Sequence, residues 1–155
     1  MKKIILIIFL ITTLNNCGFK IVENKELRGY LITEINTYGE SRINYQIKNL
    51  LNIKSKTNSE KKLKITLNTN KEKKVKEKNI NNEITKYQMN ITTKVNFEDI
   101  SQKLSGDFTI NESGEYRILE KHIQTINNEK KLQKNLANKL ANRIIKELSN
   151  KLNDL

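Results

Sequence analysis

The sequence reads as an α+β domain, a two-layer sandwich in which a small mixed β-sheet is covered by two helices in the order β-α-β-β-β-α. Three observations predict it. Leu63, Ile65 and Leu67, then Tyr87, Met89, Ile91, Val95 and Phe97, alternate with polar residues, the period of strands with one wet face. Ile43, Ile47, Leu50 and Leu51 fall at i, i+4, i+7 and i+8, a single helical stripe. Ile126, Leu132, Leu136, Leu140 and Ile144 lie near one helical face towards the C-terminus, widened by Ala137, Ala141, Ile145, Leu148 and Leu152. A sheet with one dry face needs a cover, and two amphipathic helices supply it.

The N-terminus opens with Met1-Lys2-Lys3 and the apolar run Ile4–Ile11. Two cations before a short apolar segment form a secretory signal, and the run is well short of the roughly 20 residues that span a bilayer as a helix. It stops at Leu14-Asn15-Asn16-Cys17-Gly18, with the sole Cys of the chain. This is the lipoprotein arrangement: residues 1–16 are cleaved and Cys17 takes a diacylglycerol and an amine-linked acyl chain. Asn16 stands where Gly, Ala or Ser is usual. A triacylated Cys holds firmly, since each buried methylene contributes about 0.8 kcal/mol. Gly18 follows the Cys where an Asp would retain the protein in the inner membrane, which points to the outer membrane, periplasmic face.

Residues 17–28 read as a lipid-anchored tether and 29–155 as one domain. Tyr30–Ile35 holds good β-formers and is the first strand. Tyr38-Gly39-Glu40-Ser41 is turn-like, with Ser41 a candidate cap for the first helix, which fades near Ile53. Leu63–Leu67 and Tyr87–Phe97 are the next strands. Leu104, Gly106, Phe108 and Ile110 make another, with Ser105-Gly106 a candidate bulge. Asn111-Glu112-Ser113-Gly114 reads as a turn. The last helix is expected from about Asn128 to Lys151.

Composition excludes several chemistries. A single Cys forbids an internal disulfide and a Cys-based metal cage. The single His, His122, reads as a surface residue near a helix start. Glu98-Asp99 is the one adjacent acidic pair, and neighbours on a strand face opposite sides. Five scattered glycines form no phosphate-cradling loop. No enzyme, cofactor or metal is expected.

The net charge is +12, but 25 of the 29 cations are Lys, alongside 23 Asn and 22 Ile, the mark of an AT-rich coding bias. Signal cleavage removes Lys2 and Lys3 and leaves +10. Only four Arg remain, few for a specific phosphate reader, and export removes cytoplasmic nucleic acid as a partner. The charge of interest is local. Lys71, Lys73, Lys74, Lys76 and Lys78 fall in the stretch 70–79 between two strands. They read either as a solvated hairpin tip or edge strand, where Lys discourages edge pairing, or as a flexible cationic tip touching the phosphates of lipopolysaccharide.

The chain resembles the lipopolysaccharide-assembly lipoprotein family, LptE, particularly its alphaproteobacterial branch. The carriers are Cys17-Gly18-Phe19 after the signal, the strand–helix opening through Ser41-Arg42-Ile43 to Leu50-Leu51, Tyr87-Gln88-Met89-Asn90-Ile91, Leu104-Ser105-Gly106-Asp107-Phe108 with Tyr116, and the Ala-rich helix from Leu136-Ala137 to Leu148. The order of elements carries more weight than any one motif. Where the family commonly continues with Pro-Leu-Tyr, Lys20-Ile21-Val22 stands here. The resemblance implies a non-enzymatic protein that plugs the LptD β-barrel translocon, assists its assembly and aids lipopolysaccharide delivery to the cell surface. Other readings are an accessory lipoprotein of another envelope machine, such as a secretion pilotin or lipid-transport component, and an anchored polyanion or nucleic-acid binder. The last requires aromatics interleaved with cations on one face.

Overall fold

The computed structural model describes Leu27, residues 29–55 and residues 59–153. The signal, Cys17 and the tether other than Leu27 lie outside the described residues. The expected architecture is present: β1 (Tyr30–Gly39), α1 (Ser41–Lys54), β2 (Lys61–Lys78), β3 (Ile84–Asp99), β4 (Leu104–Arg117) and α2 (His122–Asn153). The strands lie in sequence order in one sheet; β1 runs parallel to β2, and β2, β3 and β4 form an antiparallel meander.

Alternation decides which face is dry. Leu63, Ile65, Leu67, Met89, Ile91 and Val95 are completely buried, while Lys64, Asn68, Lys94 and Asn96 between them are exposed. β1 keeps this parity through a bulge between Ile32 and Glu34, where Thr33 is the extra residue. The helices close the dry face, with Ile43, Ile47 and Leu51 of α1 and Leu136, Leu140, Ile144 and Leu148 of α2 buried against it. A polar pair sits inside this layer. Thr69 and Thr93 are register partners, and their hydroxyls meet at 3.0 Å, so each satisfies the other.

Five expectations need correction. β1 runs on to Gly39, so the turn shrinks to Glu40. Glu40, not Ser41, occupies the N-cap of α1, and it makes no side-chain capping bond. Gly106 pairs with Phe97 in regular register and is no bulge; a Cβ there would lie 2.8 Å from Phe97 Cζ, so the glycine makes room for a ring. Asn111-Glu112-Ser113-Gly114 is not a turn. Each of the four pairs with a β3 residue, and β4 runs unbroken to Arg117. Strand pairing overrides the local turn preference there, and Gly114 leaves space for Leu132 of α2. α2 also starts earlier than expected, at His122, which is exposed.

The sheet is uneven along its length. β1 pairs with β2 only as far as Gly39 and Thr69. Beyond that point β2 continues for nine residues with β3 on one side and a free edge on the other. Gly39 marks the change: its φ is +83°, and a Cβ would fall 2.0 Å from the Thr69 carbonyl oxygen. The chain departs there, the Glu40 amide bonds Thr69 O at 3.0 Å, and α1 begins.

Candidate functional site

The five lysines singled out in the sequence lie along this projecting half of β2, not in a loop. The hairpin tip is 79–83, one turn further on. β2 at 70–78 is a local edge strand, and the lysines stand on it rather than in the tip. Period 2 splits the lysines between faces. Lys71 and Lys73 take the parity of Leu67 and Thr69, towards the helices; Lys74 pairs with Gln88 on the open face; Lys76 is the extra residue of a bulge between Val75 and Glu77; Lys78 closes the strand.

Each of the five has a partner. Lys71 Nζ lies 3.6 Å from Glu40, Lys74 Nζ 3.0 Å from Glu72 and Lys76 Nζ 3.4 Å from Glu115. Lys78 Nζ donates to Asn82 Oδ1 at 2.9 Å. Lys73 is the most engaged. Its Nζ sits 4.1 Å from the Tyr87 ring centroid, 5.3 Å from that of Tyr116 and 3.2 Å from Glu129 Oε2. Burial pulls its pKa down, but Tyr116 and Glu129 outweigh that and hold it above the usual lysine value. Exposed ion pairs contribute about 0–1 kcal/mol each. Lys74, Lys76 and Lys78 can therefore exchange their partners for a phosphate at little cost, whereas Lys73 is built into the packing.

Sequence reasoning missed an apolar feature of the same end. Ile80, at the apex of the tip, is fully exposed, and Val75, Ile118, Leu119 and Ile123 are exposed apolar residues of the adjoining segments. The Ile118 amide bonds Thr85 O at 2.9 Å, which ties the β4–α2 connection to the base of the hairpin. The signal was available in Asn79-Ile80-Asn81, an isoleucine placed among turn formers.

The open face of the sheet is the second feature. Thr66, Asn68, Asn90, Thr92, Asn111 and Ser113 belong to it, with Lys and acid side chains around them. It carries no apolar cluster. Tyr87 and Phe97, two of the aromatics a stacking surface would need, sit on the covered face, packed against Tyr116 and Phe108. Among the described residues no group of His, Cys, Asp or Glu is placed to hold a metal ion, and no helix is long and apolar enough to cross a membrane. Asp99 of the acidic pair is buried at the end of β3, where its Oδ1 accepts the Ser101 and Gln102 amides, a turn-forming role.

No protein-family model matches the chain, and no curated protein is significantly similar to it. Solved structures do match in fold. Lipoprotein B from Nitrosomonas europaea superposes with a TM-score of 0.61 at 14% identity, over 87% of this chain and 92% of that one. Rare lipoprotein B from Shewanella oneidensis gives 0.58 at 10% identity, over 76% and 95%. A minor lipoprotein from Acinetobacter baumannii gives 0.56 at 16% identity, over 79% and 94%. The molecule thus has a fold that bacterial lipoproteins use. At these identities the likeness is one of architecture, and it spans nearly the whole of each of those chains.

Proposed function

We propose that this is a lipopolysaccharide-assembly lipoprotein of the alphaproteobacterial type, anchored through acylated Cys17 to the periplasmic face of the outer membrane. It fills the lumen of an LptD-type β-barrel, assists that barrel's assembly and aids delivery of lipopolysaccharide to the cell surface. The observation that carries the reading is the uncovered polar face of the sheet. Large outer-membrane barrels have polar, hydrated interiors, and a plug must present amides and hydroxyls to them rather than a hydrophobic face. A fold shared with bacterial lipoproteins supports the anchor. β2, at 18 residues, is about 60 Å long, enough to reach well into a barrel from its periplasmic mouth.

In this reading the projecting end meets the lipid. Ile80, Ile118 and Leu119 suit acyl chains, and Lys74, Lys76 and Lys78 suit the phosphates beside them; Lys71 and Lys73 brace the strand from the helix side. The test is purification of the tagged, full-length chain from outer membranes. An abundant large β-barrel should come with it, and depleting the lipoprotein should lower the level of that barrel. Isolation without any barrel partner, or a barrel level unaffected by depletion, would sink the proposal.

A further inference from the structure

We infer that the cleft between α1 and the middle of α2 is a binding site for a phosphorylated polyol, a sugar phosphate or a glycerophosphate headgroup. It lies on the helical side of the molecule, away from the open sheet face, and does not depend on the barrel reading.

The cleft has a volume of about 680 Å³ and is lined by Ser41, Arg42, Tyr45 and Gln46 of α1 and by Lys130, Gln133 and Lys134 of α2. Three cations converge on it with no carboxylate in the lining. This contrasts with β2, where Lys64, Lys71, Lys73, Lys74 and Lys76 are each matched to an acid. Among the described residues Arg42, Lys130 and Lys134 form no ion pair. The acids nearest in sequence are turned away. Glu40 is held by Lys71 at 3.6 Å, and Glu129 by Tyr116 and Lys73 at 2.8 and 3.2 Å. The same contacts that neutralise the β2 lysines therefore strip the cleft of counter-charge.

Two further features narrow the ligand. The Gln46 Oε1 atom is shielded from solvent and has no hydrogen-bond partner, so turning its amide into the cleft gives up no protein hydrogen bond and offers a ligand hydroxyl an acceptor. The Tyr45 ring at the cleft wall has a relative exposure of 67%, a flat apolar surface for the C–H face of a sugar. Arg42 brings a planar fork suited to phosphate and the lysines bring mobile point charges. Phosphate alone would leave Gln46 and Tyr45 unused; a neutral sugar would leave three cations unmatched.

The test uses the full-length acylated chain in micelles of an uncharged maltoside detergent. Glucose 6-phosphate, glucose, inorganic phosphate and nanodiscs containing phosphatidylglycerol are titrated in turn, with affinity and backbone-amide NMR shifts as readouts. Glucose 6-phosphate should perturb residues 41–46 and bind at least tenfold more tightly than glucose or inorganic phosphate. The triple variant Arg42→Gln, Lys130→Gln, Lys134→Gln should weaken it at least tenfold, while Lys139→Gln, Lys146→Gln, exposed elsewhere on α2, should not. All three cleft residues are exposed, so the triple variant should stay folded. Binding confined to the phosphatidylglycerol nanodiscs, and lost in the triple variant, makes the source a lipid headgroup and upholds the site. Equal affinity for inorganic phosphate overturns the roles of Gln46 and Tyr45. Binding that survives the triple variant, or that perturbs β2 and leaves 41–46 unmoved, overturns the site.

Discussion

The Tyr116 hydroxyl donates to Glu129 Oε2 at 2.8 Å, and Lys73 reaches the same oxygen at 3.2 Å. One carboxylate of α2 thus fastens β4 and the projecting half of β2. Tyr116→Phe should lower stability by about 1 kcal/mol, the worth of one hydrogen bond, read from the urea midpoint.

The same carboxylate makes the fold acid-sensitive. Burial pushes the Glu129 pKa up, but Tyr116, Lys73 and Lys71 outweigh it and hold the group below its usual value. A depressed carboxyl contributes stability that is present above its unfolded pKa and is lost as pH falls through the folded one. Stability should decline as pH drops below about 4.3, and Glu129→Gln should flatten that decline. An unchanged slope in the variant would refute the assignment.

At the opposite end of the sheet the sign reverses. Tyr30 is buried, with the Asp99 carboxylate beside it, and both effects push its pKa up to about 12. A raised phenol contributes stability that is complete below about pH 10 and is lost as pH rises towards 12. Alkaline titration of unfolding should show a fall in that window, absent in Tyr30→Phe.

Lysines that look alike in the sequence should differ in consequence. Lys74→Gln and Lys76→Gln each replace an exposed ion pair and should change stability by no more than about 0.5 kcal/mol. Lys73→Gln also gives up two ring contacts and should cost about 1–2 kcal/mol. Equal costs for all three would contradict the division between packed and exposed lysines.

Gly39→Ala should be among the harshest small substitutions in the chain. It forces a side chain into a left-handed conformation and against the Thr69 carbonyl. A cost of about 2–3 kcal/mol is expected, against a much smaller one for Gly29→Ala, which shares the positive φ but meets nothing within 4 Å.

The fold class was legible because four periodic stretches agreed: the alternation of β2 and of β3, and the stripes of α1 and α2. What alternation could not show was where strands stop. β2 continues through Lys71–Lys78 although its apolar signal ends at Leu67, because β3 supplies a register partner for nearly every residue. Gly106 and Gly114 looked like punctuation when read alone, yet they are packing residues whose reasons, Phe97 and Leu132, lie elsewhere in the chain. The lysine cluster was visible as composition. Its split into braced and exposed members was not, since that depends on Tyr87, Tyr116 and Glu129 arriving from three other elements. The cleft carrying Arg42, Lys130 and Lys134 joins residues nearly ninety positions apart, a distance no local pattern spans.

The departure of β1 at Gly39 leaves the molecule graded rather than uniform. On the Tyr30 side of that point, four strands and both helices share one core; beyond Thr69, three strands carry a thinner layer capped by the start of α2. Opening of the native state should therefore begin at the distal end and travel inwards, so that amides of 72–88 exchange with solvent while those of 63–67 and 91–97 stay protected. A molecule built this way has a stiff root where β1 and both helices meet the sheet and a compliant outer blade, able to adjust to what it meets without loosening the core behind it.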